Sequence, residues 1–146
     1  MRIEARAAAV MAFAAAAGAP PIAQAHPGPA PVYYQFQSPW GNIFCDMDDV
    51  TGTPIAQCEI VDYTYPTLPQ SCPQGVGGRF ELNQGSPAAL VCHSDTVRAP
   101  DAPTFDYGQS KSLAALTCDS EPSGMTCTDT GTGHFFRVAR DSYELH

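Results

Sequence analysis

The chain has 146 residues, with 7 Lys and Arg against 15 Asp and Glu, a net charge of −8 at pH 7. Nucleic-acid phosphates and anionic lipid surfaces both demand a basic footprint, so neither is an expected partner. Six cysteines and a single lysine, Lys111, complete the unusual composition.

The first 25 residues read as an export signal. Arg2 and Arg6 give a positive start, and Ala7 to Ala19 form a short apolar run. Pro20 and Pro21 break it, and Ala23-Gln24-Ala25 offers a small-x-small cleavage site. The run is too short to span a bilayer, and no transmembrane segment is expected elsewhere. Cleavage near Ala25-His26 removes Arg2, Arg6 and Glu4, which shifts the net charge from −8 to −9. His26 to Val32, "HPGPAPV", is a Pro-rich extended linker, and residues 33–146 are expected to form one domain.

Short strand-like segments then recur. Tyr33 to Gln37 reads as a strand, followed by Ser38-Pro39-Trp40-Gly41, a turn with Pro second and Gly fourth. Asn42 to Asp46 and Ile55 to Val61 read as strands, and Tyr63 to Gly78 as irregular. Arg79 to Asn83 alternates, turns at Gln84-Gly85-Ser86 and returns as Ala88 to Cys92. Ala99 to Gly108 is a loop, and Ser112 to Cys118 is strand-like. Glu121-Pro122-Ser123-Gly124 repeats the turn recipe before Met125 to Thr128. His134 to Arg140 and Tyr143 to Leu145 close the chain, with Phe136 and Val138 on one face. After the signal no segment sustains a 3.6-residue period. The expected fold is all-β: a small antiparallel barrel or sandwich, held by disulfides, with little or no helix.

An even cysteine count in an exported chain implies three bridges. Cys45 and Cys58 flank one polar loop, and Cys118 and Cys127 another; Cys72 and Cys92 remain and bracket a hairpin. The favoured pairs are therefore Cys45–Cys58, Cys72–Cys92 and Cys118–Cys127. With no Cys-x-x-Cys pair, zinc is disfavoured.

The stretch "IFCDMDDVTGT" from Ile43 has the letters of a phosphatase nucleophile. Such an enzyme needs a parallel α/β sheet and a second-site lysine, and no βαβ pattern is present. Asp46, Asp48 and Asp49 offer oxygen ligands for calcium, but no Glu closes the loop at the twelfth position. A solvated acidic loop is the simpler expectation. His93-Ser94-Asp95 carries triad letters, but neighbours in sequence cannot fold onto one another and no nucleophile elbow is present. His134 follows Gly131-Thr132-Gly133 without a second His nearby. Gly75-Val76-Gly77-Gly78 lacks the Lys and helix of a phosphate loop. Tyr33, Tyr34, Phe36 and Trp40 form the candidate binding face, since aromatic side chains bring large contact area at low entropy cost.

Phe36-Gln37-Ser38-Pro39-Trp40-Gly41-Asn42-Ile43-Phe44-Cys45 resembles the F-x-S-P-x-G-N-I-x-C opening of small exported actinobacterial, especially mycobacterial, proteins. Gly133 to Arg140, then Tyr143 and Leu145, resembles their ending. Trp40 and Phe135 depart from the small residues expected at those positions. The resemblance implies export and a disulfide-held β fold, and transfers no catalytic residue. The sequence thus points to a secreted, non-enzymatic binding module without a cofactor, for an envelope or extracellular protein or glycan. The alternatives are an inhibitor of an extracellular hydrolase, lysozyme-like or a protease, and a small hydrolase using His134 or the aspartates.

Overall fold

A computed structural model describes residues 15, 17–66, 72 and 76–146. The signal reading falls largely on residues 1–14 and 16, outside the described residues. So does part of the irregular stretch 63–78, with Gly75 in it. Residues 17–31 are exposed and carry no regular structure.

Ten strands follow: β1 (Tyr33–Gln37), β2 (Ile43–Asp48), β3 (Ile55–Ile60), β4 (Val76–Asn83), β5 (Ala89–His93), β6 (Ser110–Leu113), β7 (Leu116–Glu121), β8 (Gly124–Asp129), β9 (Phe135–Val138) and β10 (Tyr143–Leu145). No helix occurs among the described residues. The first five strands form one antiparallel meander, and the last five form another. Neither sheet closes on itself, so the architecture is a sandwich rather than a barrel.

Period-two alternation builds the core. Leu116 and Cys118 of β7, Met125 and Cys127 of β8, and Phe136 and Val138 of β9 all point inward. They meet Phe36, Ile43, Cys45, Met47, Ala56, Cys58, Phe80 and Leu82 from the other sheet. The Phe80 and Phe136 rings lie 5.9 Å apart across this layer. Two disulfides sit inside it. Cys45 is in register with Cys58, and Cys118 with Cys127, at Cα separations of 4.1 and 4.0 Å. Cys72–Cys92 is the third bridge.

The main differences from the sequence reading are three. β2 runs on past Asp46, so Asp48, expected in the loop, is a strand residue. β4 begins at Val76, ahead of Arg79. The single strand expected over Ser112 to Cys118 is a hairpin, with Leu113 paired to Leu116 across Ala114 and Ala115. Ala114 takes φ 52°, a left-handed conformation that Gly or Asn would normally advertise. With alanines there, the turn leaves no compositional mark.

The sheets are joined by Ser94 to Gln109, whose first part straps across the outer face of the first sheet. Its anchor is Glu59 of β3, only 1% exposed. Glu59 Oε1 accepts from Arg79 Nη2 at 2.8 Å, Arg79 Nε at 3.1 Å and the Val97 amide at 3.1 Å. Oε2 accepts from Thr96 Oγ1 at 2.7 Å and Arg98 Nε at 3.1 Å. Arg79 also binds Gln57 Oε1 and the Asp95 carboxylate. Burial pushes the Glu59 carboxyl up, but these donors outweigh it and hold it below its ordinary value. The strap ends on β1, where the Gln37 amide donates to Pro103 O at 3.0 Å and Gln37 O accepts from Phe105 N at 2.8 Å.

Two outcomes are expected. Cys118→Ala with Cys127→Ala frees a short loop, and chain-entropy arithmetic gives a loss of roughly 2.5 kcal/mol, read from urea midpoints. Glu59→Gln leaves two arginines facing a neutral amide, with an expected loss of about 3–5 kcal/mol. Limited trypsin digestion should then cut after Arg98 much faster than in the unaltered chain; equal rates would refute the anchoring role.

Candidate functional site

The meanders leave a groove at one end of the sandwich, about 450 Å³ in volume. Its walls are the β1–β2 turn, the exit of β3, the β7–β8 turn and the exit of β9. Each wall has a local cause. In the β1–β2 turn the Gly41 amide donates to Ser38 O at 2.9 Å, with Gly41 at φ 64°. Ser38 Oγ accepts from the Ile43 amide at 3.0 Å, which pins the turn to β2. Pro39 and Trp40 are left at the tip. Beside it, Asn42 bonds both backbone groups of Asp62, at 2.9 and 2.8 Å. At the floor, Gly124 takes φ 133° where a Cβ would stand 2.5 Å from Val138 O. Only glycine permits β8 to start that close to β9.

Trp40 stands 83% exposed at this groove. Tyr107, Asp62, Glu121 and Arg140 line it as well. The site therefore offers aromatic faces, carboxylate acceptors and a guanidinium donor. The opposite end of the sandwich is closed. There Asp129 Oδ2 accepts from the Gly85 amide at 2.6 Å, and Oδ1 from the Gly131 amide at 2.8 Å. The Gly85 bond foremost holds the Asp129 carboxyl below its ordinary value, against the pull of burial. Gln84 Oε1 accepts the Ala115 amide beside it, at 3.0 Å. Nothing in the sequence around Asp129 announced the tie to Gly85, because that amide lies 44 residues away in another turn.

The four aromatic residues of the expected binding face do not share one surface. Phe36 is 3% exposed and packs on Phe105 at 4.7 Å between ring centres, so it belongs to the core. Tyr34 also leans on the core, with Lys111 Nζ 4.5 Å from its ring centre. Tyr33 is exposed on the outer face, where its hydroxyl reaches Asp46 Oδ2 at 3.5 Å. Trp40 alone lines the end groove. Alternation along β1 sends neighbours to opposite faces, and the turn carries Trp40 beyond both.

The acidic stretch is not a solvated loop tip either. Asp46 is buried on the outer face of β2, and its Oδ1 has no hydrogen-bond partner. Burial, then repulsion from Asp48, push its carboxyl up to about 7. Asp48 Oδ1 accepts the Val50 amide at 3.0 Å, and Asp49 Oδ1 the Val32 amide at 2.6 Å. The three carboxylates serve separate local contacts, and no group of three His, Cys, Asp or Glu is placed to hold a metal among the described residues.

His134 shows only backbone contacts: its amide meets Thr132 Oγ1, and its carbonyl accepts the Asp129 amide. No carboxylate faces its ring among the described residues. His93 lies against Arg79 and Glu59 within the strap network, and Asp95 is turned to Arg79. Neither arrangement places a nucleophile beside a base. Glu59, Arg79 and Asp129 carry the strongest polar geometry in the molecule, and all three hold the fold together.

Asp46 makes stability depend on pH with a defined sign. Its folded value lies above the ordinary 3.8, so its favourable contribution is complete below pH 3.8 and is lost as pH rises through about 7. Asp46→Asn removes that loss. The melting temperature of Asp46→Asn relative to the unaltered chain should climb between pH 4 and pH 7; a constant difference would show that the carboxyl is ionised throughout. No family model, no curated protein and no solved structure matches this chain.

Proposed function

We propose that this is a secreted, non-enzymatic binding module whose envelope or extracellular ligand, protein or glycan, docks in the end groove at Trp40. The exposure of Trp40 carries the reading. A large apolar indole held in water on a pinned turn is costly to the free protein, and covering it on binding recovers that cost. Tyr107 supplies a second aromatic surface, and Asp62, Glu121 and Arg140 supply polar groups that fix orientation. Three disulfides suit an oxidising compartment outside the cytosol. Among the described residues no helix is long and apolar enough to cross a membrane.

The pinned turn also favours a second reading, an inhibitor that inserts Trp40 into the cleft of a basic extracellular hydrolase. The net charge, −9 after signal cleavage, would steer such an encounter. Inhibition that weakens as salt rises is its signature.

Trp40 is the chain's single tryptophan, so the site reports on itself. Its fluorescence should shift to the blue when the protein meets fractionated envelope polymers or secreted proteins. Trp40→Ala should lower retention on those fractions at least tenfold while leaving the thermal midpoint unchanged, because the residue is 83% exposed. Retention equal to that of the unaltered chain would remove the groove as the binding site.

A further inference from the structure

Edge strands normally carry a device against unwanted pairing: a charge, a proline, a bulge or very short length. β10 has three residues and Glu144, and β6 has four residues and Lys111. β5, one edge of the first sheet, pairs with β4 through a register shift. β1, the other edge, is Tyr-Tyr-Gln-Phe-Gln, five residues with no charge, proline or bulge. Its backbone orientation follows from its ends. The Val32 carbonyl accepts the Asp49 amide, and the Ser38 amide donates to Ile43 O, so even-numbered residues face β2. Gln37 bonds outward, to Pro103 O and Phe105 N. Alternation then turns the N–H and C=O of Tyr33 and Gln35 outward too, where no partner stands among the described residues.

Those groups open onto a second cleft of about 680 Å³. Tyr33 to Phe36 form one wall, Gln109 to Lys111 the other, and Pro103 to Phe105 close one end. Thr104 already pairs with Gln37 in a parallel bridge, so this edge accepts an extended segment and then loses it. Lys111 is the chain's only lysine, and its ammonium sits over the Tyr34 ring inside this cleft. We propose that the β1 edge is a strand-acceptor site: an extended partner peptide adds to Tyr33 and Gln35 as a further strand, with an acidic side chain reaching Lys111. The backbone ladder is the reason to name an extended peptide, and Lys111, the one charged residue among those that line this cleft, is the reason to name a carboxylate. This site is separate from the end groove and stands or falls independently of it.

Amide hydrogen exchange on the full chain tests the proposal with a blocked octapeptide alternating valine or threonine with glutamate. The Tyr33 and Gln35 amides should exchange freely in the unbound protein and slow at least tenfold with millimolar peptide. A control peptide with proline at alternate positions lacks the donors and should change nothing. Gln35→Pro removes the outward N–H without touching the β2 ladder, and should abolish the effect. Should that variant not fold, Lys111→Gln serves instead, with binding expected to weaken at least threefold. Absent slowing, equal slowing by the proline control, or unchanged affinity in Lys111→Gln overturns the proposal. So does protection that grows with protein concentration alone, which would assign the edge to a second copy of this chain.

Discussion

A carboxylate with no access to water organises the first half of this molecule. Glu59 sits on the outer face of a sheet, a position that alternation would normally leave to solvent, yet it is covered. Stripping water from a carboxylate costs several kcal/mol unless donors replace the lost hydration. Five donors do so here, and three of them come from the strap that does the covering. The arrangement is mutual. Without the strap Glu59 would be hydrated and keep only its pair with Arg79, and without Glu59 the strap would lose three of its anchoring bonds. Because the strap leads on to β6, the same contact sets where the second sheet starts.

The two ends of the sandwich differ for a related reason. At one end Asp129 reaches across to the β4–β5 turn and gathers backbone amides that would otherwise need water. That end is stitched shut. At the other, Asn42 ties the β1–β2 turn to Asp62, and the Thr64 amide donates to Arg140 O at 2.8 Å, yet Trp40 and Tyr107 stay exposed beyond these ties. A space beside walls already braced by such bonds stays open without straining the fold. This is the physical ground for the proposal that the groove binds a ligand, since rigid walls would need little ordering on binding.

Sheet edges show the same economy. The β5 side is met by the chain terminus, where the Ala88 amide donates to His146 O at 3.0 Å. Among the described residues the β1 side is met only at Gln37, where the strap passes. The unpaired remainder of β1 is thus a by-product of how the strap crosses the sheet, and its uncharged side chains leave it receptive.

Much of this was legible before any coordinates. Alternation in "HFFRVAR", the Pro-and-Gly turn recipes and the cysteine spacing are local signals with local causes, and they led to an all-β chain with the three pairs now seen. Other features left no such mark. The Ala114–Ala115 turn uses a conformation that its residues do not advertise. Phe36 and Trp40 read alike as aromatic residues near one turn, and only packing sent one to the core and the other to the groove. Asp46 reads as part of a solvated acidic stretch and Glu59 carries no mark in the sequence, because burial on an outer face depends on what other segments lay over it. The sequence by itself determined the strands, the bridges and the charge, since those follow from neighbours along the chain. Which acids are buried, which aromatic stands in water and which edge lies open was decided by the tertiary structure, since each depends on what distant parts of the chain bring against it.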